Sequence, residues 1–411
     1  MERLEKNFIW MAAANIVGSF FAIILFIYLA RTLKAEAFGT LSYAHSFIFY
    51  LMNFVDLGLT TYGIREVAKD RARVSEYVSE IVSFKLLLAT ILFTVVTVMT
   101  FLSCPSLQFK LLIAEVSLIL FISAFSTEWA FQGQEKMHMV FVSFATTTIL
   151  QFTLAYIFVK GPNDILKAPL TYFIAAVPIP ALFLLHFKYR PKLKTNYLKQ
   201  IKRYLASSII IWSIAMFAQI YNGLDIVLLG FFRRVEEVGF FTVARRAIGG
   251  MTLLMIFLAN ALLPRLSSTF SSDIEQFRRA THKFLKISAF LTIFVVFPLI
   301  VFSDNIISFA LGNEYMPACL PFKIMAVGFI LIALNLPYST GLVAAGFEKE
   351  VLKQVLASAV LSVSCNIFLM PKYGMVGASI SFLLAETLAL VWILWAYHKK
   401  IGIKAPEHLK K

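Results

Sequence analysis

A chain of 411 residues in which 59% are hydrophobic and 15% charged is far from a soluble domain, whose charged fraction is about 25%. That balance describes a polytopic membrane protein. The net charge of +15 sits on no soluble basic domain, which excludes a nucleic-acid footprint and points to anionic lipid at a membrane surface.

Apolar runs near or above the roughly 18 residues that cross a bilayer recur along the chain, about twelve in all. The first six lie near 8–29, 41–64, 81–102, 111–131, 140–159 and 168–187. The second six lie near 205–232, 238–263, 287–311, 322–346, 351–370 and 375–397. An all-α integral membrane protein is expected, with an N-terminal half at 1–187 and a C-terminal half at 205–411. The first span is too long, and too unlike a small-residue cleavage site, to be a removable signal peptide. An even number of spans puts both termini on one side. Most of the 38 lysines and arginines fall on that side if the termini are cytoplasmic, so cytoplasmic termini are expected. Between the halves, 188–204 places Leu198, Ile201 and Leu205 on one helical face and Lys199, Lys202 and Arg203 on another. This is either a cytoplasmic amphipathic linker helix or a basic stop between two spans.

The halves carry a faint echo of each other. Glu36 and Gly39 align with Glu236 and Gly239, Ala44 with Ala244, Ile48 with Ile248 and Arg65 with Arg265. At the same register His45 and Ser46 fall opposite Arg245 and Arg246. Equal spans and equal polarity in the two halves imply a parallel repeat.

Little in the chain points to catalysis. Cys104 and Cys319 lie near the outer face, close enough in membrane depth to be considered for pairing, whereas Cys365 sits in mid-span as a small core residue. No Cys-x-x-Cys, His-Glu-x-x-His or Gly-x-x-x-x-Gly-Lys motif occurs, which leaves metal catalysis, nucleotide hydrolysis and a bound cofactor without support.

Polar residues inside spans are therefore the informative ones, because a charge at mid-membrane costs about 2.5–3.5 kcal/mol. His45 and Asp56 are about three turns apart on one helical face, roughly 16 Å, with Asn53 one turn from Asp56. Gln219, Asn222 and Asp225 follow in the seventh span, Arg245, Arg246 and Asn260 in the eighth, and Glu128 and Glu386 are further intramembrane acids. Arg31, Arg65 and Lys85 lie near span ends, where snorkelling to headgroups is the simpler reading. Asp225 either pairs with an arginine and locks two helices or serves transport. Arg245 and Arg246 project about 100° apart and cannot both snorkel from their depth, so one of them is expected to face a wet cavity. Pro178, Pro180, Pro298 and Pro337 each remove a helix hydrogen bond, and Pro337, with Gly341 and Gly346 nearby, makes the tenth span the best hinge.

Several runs carry a family likeness: Leu29-Ala-Arg-Thr-Leu-Lys-Ala-Glu-Ala-Phe-Gly39, Asp56-Leu-Gly-Leu59, Ile64-Arg-Glu-Val-Ala68 and Gln132-Gly-Gln-Glu-Lys136. Further along come Asp225-Ile-Val-Leu-Leu-Gly230, Glu236 through Arg245, Ala345-Gly-Phe-Glu-Lys349, and Met370 through Ala378 with Glu386. In order and spacing the chain resembles the Wzx-type polysaccharide-exporter flippases of the multidrug/oligosaccharidyl-lipid/polysaccharide superfamily. It departs at Lys34, where the family's Leu-Ala-Arg-x-Leu-Gly motif has glycine. The resemblance implies two six-helix bundles around a central cavity that opens alternately to either side. It implies that undecaprenyl-pyrophosphate-linked oligosaccharide is carried from the cytoplasmic to the periplasmic face of a bacterial inner membrane for O-antigen, capsule or exopolysaccharide assembly. A polysaccharide polymerase and a chain-length regulator are implied as partners. On this reading Arg31, Arg65, Arg245 and Arg246 bind pyrophosphate or sugar acids, and His45, Asp56 or Asp225 carries a coupling proton or sodium ion. A drug or metabolite exporter of the same superfamily is the nearest alternative, but it favours an acidic cavity. A membrane polysaccharide polymerase or ligase is the enzymatic one, and it needs a long outer loop; no outer loop here exceeds about a dozen residues by the span reading.

Overall fold

The structure, a computed structural model, describes residues 2–190, 212–213, 216–217, 219–220 and 223–402. The proposed linker at 188–204 lies almost wholly outside the described residues, as does Asn222. The chain divides into two compact units, Met1–Met216 and Phe217–Lys411. Nine helical stretches among the described residues are long and apolar enough to cross a membrane.

The first unit begins with α1, Glu2–Asp56, which is two helices fused across a break at Lys34. Lys34 has φ 66° and ψ 170°, a region that suits glycine and strains any residue with a Cβ. The turn between the first two predicted spans thus keeps the glycine-type backbone while carrying a lysine. At the other end of the second predicted span, Leu57 and Gly58 both take positive φ and separate α1 from α2, Leu59–Lys69. Helix α2 is amphipathic, burying Leu59, Gly63 and Val67 at i, i+4, i+8. There follow α3, Val74–Ser103, then α4, Leu107–Ser117, α5, Ile119–Phe125, and α6, Glu128–Gly133. The fourth span, expected as one helix, is broken at Ser126–Thr127; the Ser126 hydroxyl and the Trp129 indole bond around the break. After α7, Met137–Phe158, the sixth span is α8, Lys167–Ala176, and α9, Pro178–His186, with the proline at a helix start where its missing N–H is harmless.

The second unit contains α10, Gly223–Phe232, α11, Val235–Ser272, α12, Ile274–Val301, α13, Ser303–Leu311, α14, Cys319–Ala344, and α15, Glu348–Tyr397. Helix α15 is long enough for two crossings and breaks at Gly374, φ 55°. Pro337, the expected hinge, is buried within an α14 that runs helical from end to end, so the break in this unit lies at Gly374 instead.

Among the described residues each unit has an apolar core of its own. In the first, Trp129, Phe131, Phe183 and Phe187 close around Val78, Ile81 and Val82 of α3. In the second, Phe277, Phe284, Tyr338, Leu342 and Tyr397 do the same work. Many large side chains elsewhere are exposed, among them Phe290, Phe294 and Phe297 on α12, as spans facing lipid require. The echo between the halves has a packing counterpart. Helix resumes after Lys34 and starts after Arg234, and Phe38, Leu41, Ala44 and Ile48 are buried, as are Val238, Phe241, Ala244 and Ile248.

Candidate functional site

In the first unit the carboxylate of Asp56 sits at the helix break. Its Oδ2 accepts the Gly58 N–H at 3.1 Å, and its Oδ1 accepts from the Thr60 hydroxyl and from Lys85 Nζ at 2.6 Å. Lys85 also donates to Thr60 Oγ1 at 2.9 Å. The lysine side chain is 2% exposed and the aspartate 30%. Snorkelling is thereby overturned for Lys85: α3 is buried continuously from Tyr77 to Lys85, which leaves the ammonium no route to a headgroup, and Asp56 is its partner. The Asn53 side-chain amide donates to the Phe49 carbonyl at 3.2 Å, and its own carbonyl accepts the Trp212 indole N–H at 2.8 Å.

The neighbouring helix α2 is fixed by close packing. A Cβ on Gly63 would strike the Trp129 ring, and one on Gly133 would lie 2.8 Å from Val67 Cβ. The buried face of α2 is therefore pressed on α6, and Arg65 lies on its exposed side. Arg31 is exposed three residues before the Lys34 break. His45 is exposed, with its ring 6.4 Å from that of Tyr172. Glu128, at the start of α6, accepts from Ser126 and from Ser143 at 2.6 Å, which accounts for an acid at that depth.

The second unit brings predicted residues together. Arg245 Nε lies 3.1 Å from Asp225 Oδ2, with side-chain exposures of 12% and 8%. The guanidinium is also 5.0 Å from the ring centroid of Phe382. That ring fits because residue 328 is glycine; a Cβ there would stand 2.6 Å from it. Asp225 Oδ1 accepts the Ile226 N–H at 2.9 Å. The pairing reading of Asp225 is thus realised, through Arg245 and not Arg246. Arg246, the next residue on α11, is exposed. An ion pair screens one guanidinium, and a turn of about 100° presents the other at the surface of the unit.

One contact was not anticipated. Glu237, in the first turn of α11, accepts Arg233 Nε at 3.0 Å and the Met375 N–H at 3.0 Å, next to the break in α15. Gly374 is glycine for two reasons, its positive φ and the carboxylate lying where a Cβ would be. Two of the motifs quoted above, around Glu236 and around Gly374, meet here. Their shared depth in the membrane was the only available signal. All three cysteines are free thiols.

A family model described as "Polysaccharide biosynthesis protein" matches residues 4–270. The chain belongs to the polysaccharide biosynthesis protein family. Asp56, Lys85, Asp225, Arg245 and Arg246 fall inside the matched region, which ends within the last turn of α11. Within the family's reach is a putative O-antigen transporter of Escherichia coli strain K12, 24% identical over 94% of both chains. Another relative is the capsular polysaccharide biosynthesis protein CapF of Staphylococcus aureus, 22% identical over 96% of this chain and 100% of its own. Among solved structures, the lipid II flippase MurJ in an inward closed conformation is similar over 95% of this chain and 87% of its own, with TM-score 0.71 and 15% identity. An inward-facing multidrug resistance MATE transporter of the MOP superfamily matches 98% of this chain and 99% of its own, with TM-score 0.66 and 16% identity. The fold is that of this transporter superfamily.

Proposed function

We propose that the protein is a flippase that moves undecaprenyl-pyrophosphate-linked oligosaccharide from the cytoplasmic to the periplasmic face of a bacterial inner membrane, for O-antigen, capsule or exopolysaccharide assembly. The family and the names of its relatives support a polysaccharide precursor as cargo. The observation that carries the reading is the exposed Arg246 on a largely apolar helix, next to Arg245, whose ion pair with Asp225 of the preceding helix is mostly enclosed. A pyrophosphate cannot enter hydrocarbon unaided, and a guanidinium replaces lost water with charge-assisted hydrogen bonds. Arg246 is the group of the second unit assigned to the anionic head, and Arg31 is an exposed arginine of the first unit suited to the same chemistry. Arg65, on the outer face of an amphipathic helix, is assigned to headgroups.

Asp225 is the preferred coupling carboxylate. It already neutralises Arg245, and a proton or sodium ion taken up there would change the charge beside the head-group site. Asp56 is a weaker choice because Lys85 and Thr60 occupy the same oxygen. His45 remains a proton carrier of second rank. One charge moving down 100 mV supplies about 2.3 kcal/mol, a useful bias for a cycle without ATP.

Reconstitution with the lipid-linked oligosaccharide tests the proposal. Arg246→Ala should slow flipping by about 10- to 100-fold, the worth of one or two charge-assisted bonds. An unchanged rate in folded protein would remove Arg246 from the account. Deletion of the gene should leave a lipid-linked glycan on the cytoplasmic face, and the accumulated sugar identifies the cargo.

A further inference from the structure

The connection between α12 and α14 is an elaboration without a counterpart at the matching place in the first unit. There α3 ends at Ser103 and α4 starts at Leu107, whereas here α13 and a 3-10 turn, Asn313–Ala318, intervene. Helix α13 is too short to cross a bilayer and joins two helices that are long enough to do so. At 3.6 residues per turn its surface divides into three arcs. Ser303, Ile307 and Leu311 form a buried arc packed on the unit. Asp304, Asn305 and Ser308 form a polar arc, with Asp304 paired to Lys323 at 3.0 Å. Ile306 and Phe309 form a third arc that is apolar and exposed, Phe309 to 85%.

A helix free in water has no use for the third arc, and a helix inside hydrocarbon has no place for the second. Three arcs fit one setting, a helix lying in the plane of the membrane interface with protein, water and acyl chains on its three sides. The exposed residues of the preceding span continue the same surface. Phe290, Phe294, Phe297 and Val301 follow at i, i+4, i+7 and i+11 on α12, and Phe302 leads from them into α13. We infer that α13 is a membrane-interface anchor of the second unit, with Ile306 and Phe309 inserted among the acyl chains of the lipid leaflet and Asp304, Asn305 and Ser308 at headgroup level. The partner is phospholipid. This rests on the membrane fold alone and stands apart from the assignment of cargo.

Nitroxide labelling tests it. In the full-length protein with Cys104, Cys319 and Cys365 replaced by alanine, single labels are placed through Phe309→Cys and Asn305→Cys, and the protein is reconstituted in phosphatidylethanolamine–phosphatidylglycerol vesicles. The ratio of collision with oxygen to collision with a water-soluble nickel chelate should be severalfold higher at 309 than at 305. Equal nickel access at both positions would place the helix in water and overturn the inference. Protection of 309 from both quenchers would mean that a protein partner or a second copy covers it, and would overturn it as well. Should the alanine background fold poorly, Phe309→Trp in the native chain, read by quenching with brominated phospholipid against Asn305→Trp, gives the same discrimination.

Discussion

Each unit buries one cation against one carboxylate between apolar helices, and the two pairs are built differently. In the first, Lys85 is sealed, and Asp56, 30% exposed, accepts from a lysine, a hydroxyl and a backbone N–H at a helix break. In the second, Asp225 meets a guanidinium that also stacks on Phe382, and the next residue carries a second guanidinium to the surface. A compact ammonium buried with all its neighbours in place makes a lock. In the second pair the carboxylate meets Arg245, and the exposed Arg246 follows it on the same helix. On the proposed function the first is a structural ion pair and the second an operational one, although both look alike as charged residues in apolar runs.

Mutations can break or sharpen this contrast. The largest effect expected is on the first pair. Lys85→Met strips the partner from a largely enclosed carboxylate and should destabilise the protein by about 3–5 kcal/mol in a denaturation series. Adding Asp56→Asn should restore most of that loss, since neutralising both members removes the uncompensated charge. Next come the two glycines on which each arrangement rests. Gly63→Ala forces a methyl into the Trp129 ring and should destabilise by about 1–3 kcal/mol, with flipping by the remaining folded protein unaffected. Gly328→Ala should show a similar loss of stability by displacing Phe382, and in addition a slower flip, because Phe382 supports Arg245. The smallest effect expected is a gain. Lys34→Gly relieves a backbone conformation that only glycine adopts freely, offset by the greater freedom of glycine in the unfolded chain, and should stabilise by about 1 kcal/mol, read as a raised melting temperature.

Much of the fold was legible because hydrophobic length is a coarse signal that a membrane makes strict. Predicted spans within the described residues fall on helices, and the breaks at Lys34 and Gly374 fall in the turns expected between spans. The departure at Lys34 was visible as a missing glycine, and the structure gives its physical meaning. The break at Ser126–Thr127 was not visible, because no proline or glycine marks it and the short polar run Ser126-Thr127-Glu128 sits inside an apolar stretch of span length. At the site, the candidates Asp225 and Arg245 were recognisable as charges in apolar runs, and their pairing was one of two stated readings. Lys85 was misread because its place near a predicted span end imitates a snorkelling residue; only the packing of α3 inside the unit makes it a core ammonium. Glu237 escaped notice because its partner is a backbone N–H far along the chain, which no side-chain pattern reports.

The central claim is that the second pair takes part in transport and the first does not. It is tested most directly by flipping rates of two neutral double variants in the same vesicles, Asp56→Asn with Lys85→Met and Asp225→Asn with Arg245→Met, each matched for folded protein. The account predicts that the first variant flips lipid-linked oligosaccharide at close to the native rate and that the second is slowed by about tenfold or more, the loss expected when one charge-assisted contact goes. Equal rates in the two variants, or a slower first variant, would contradict it.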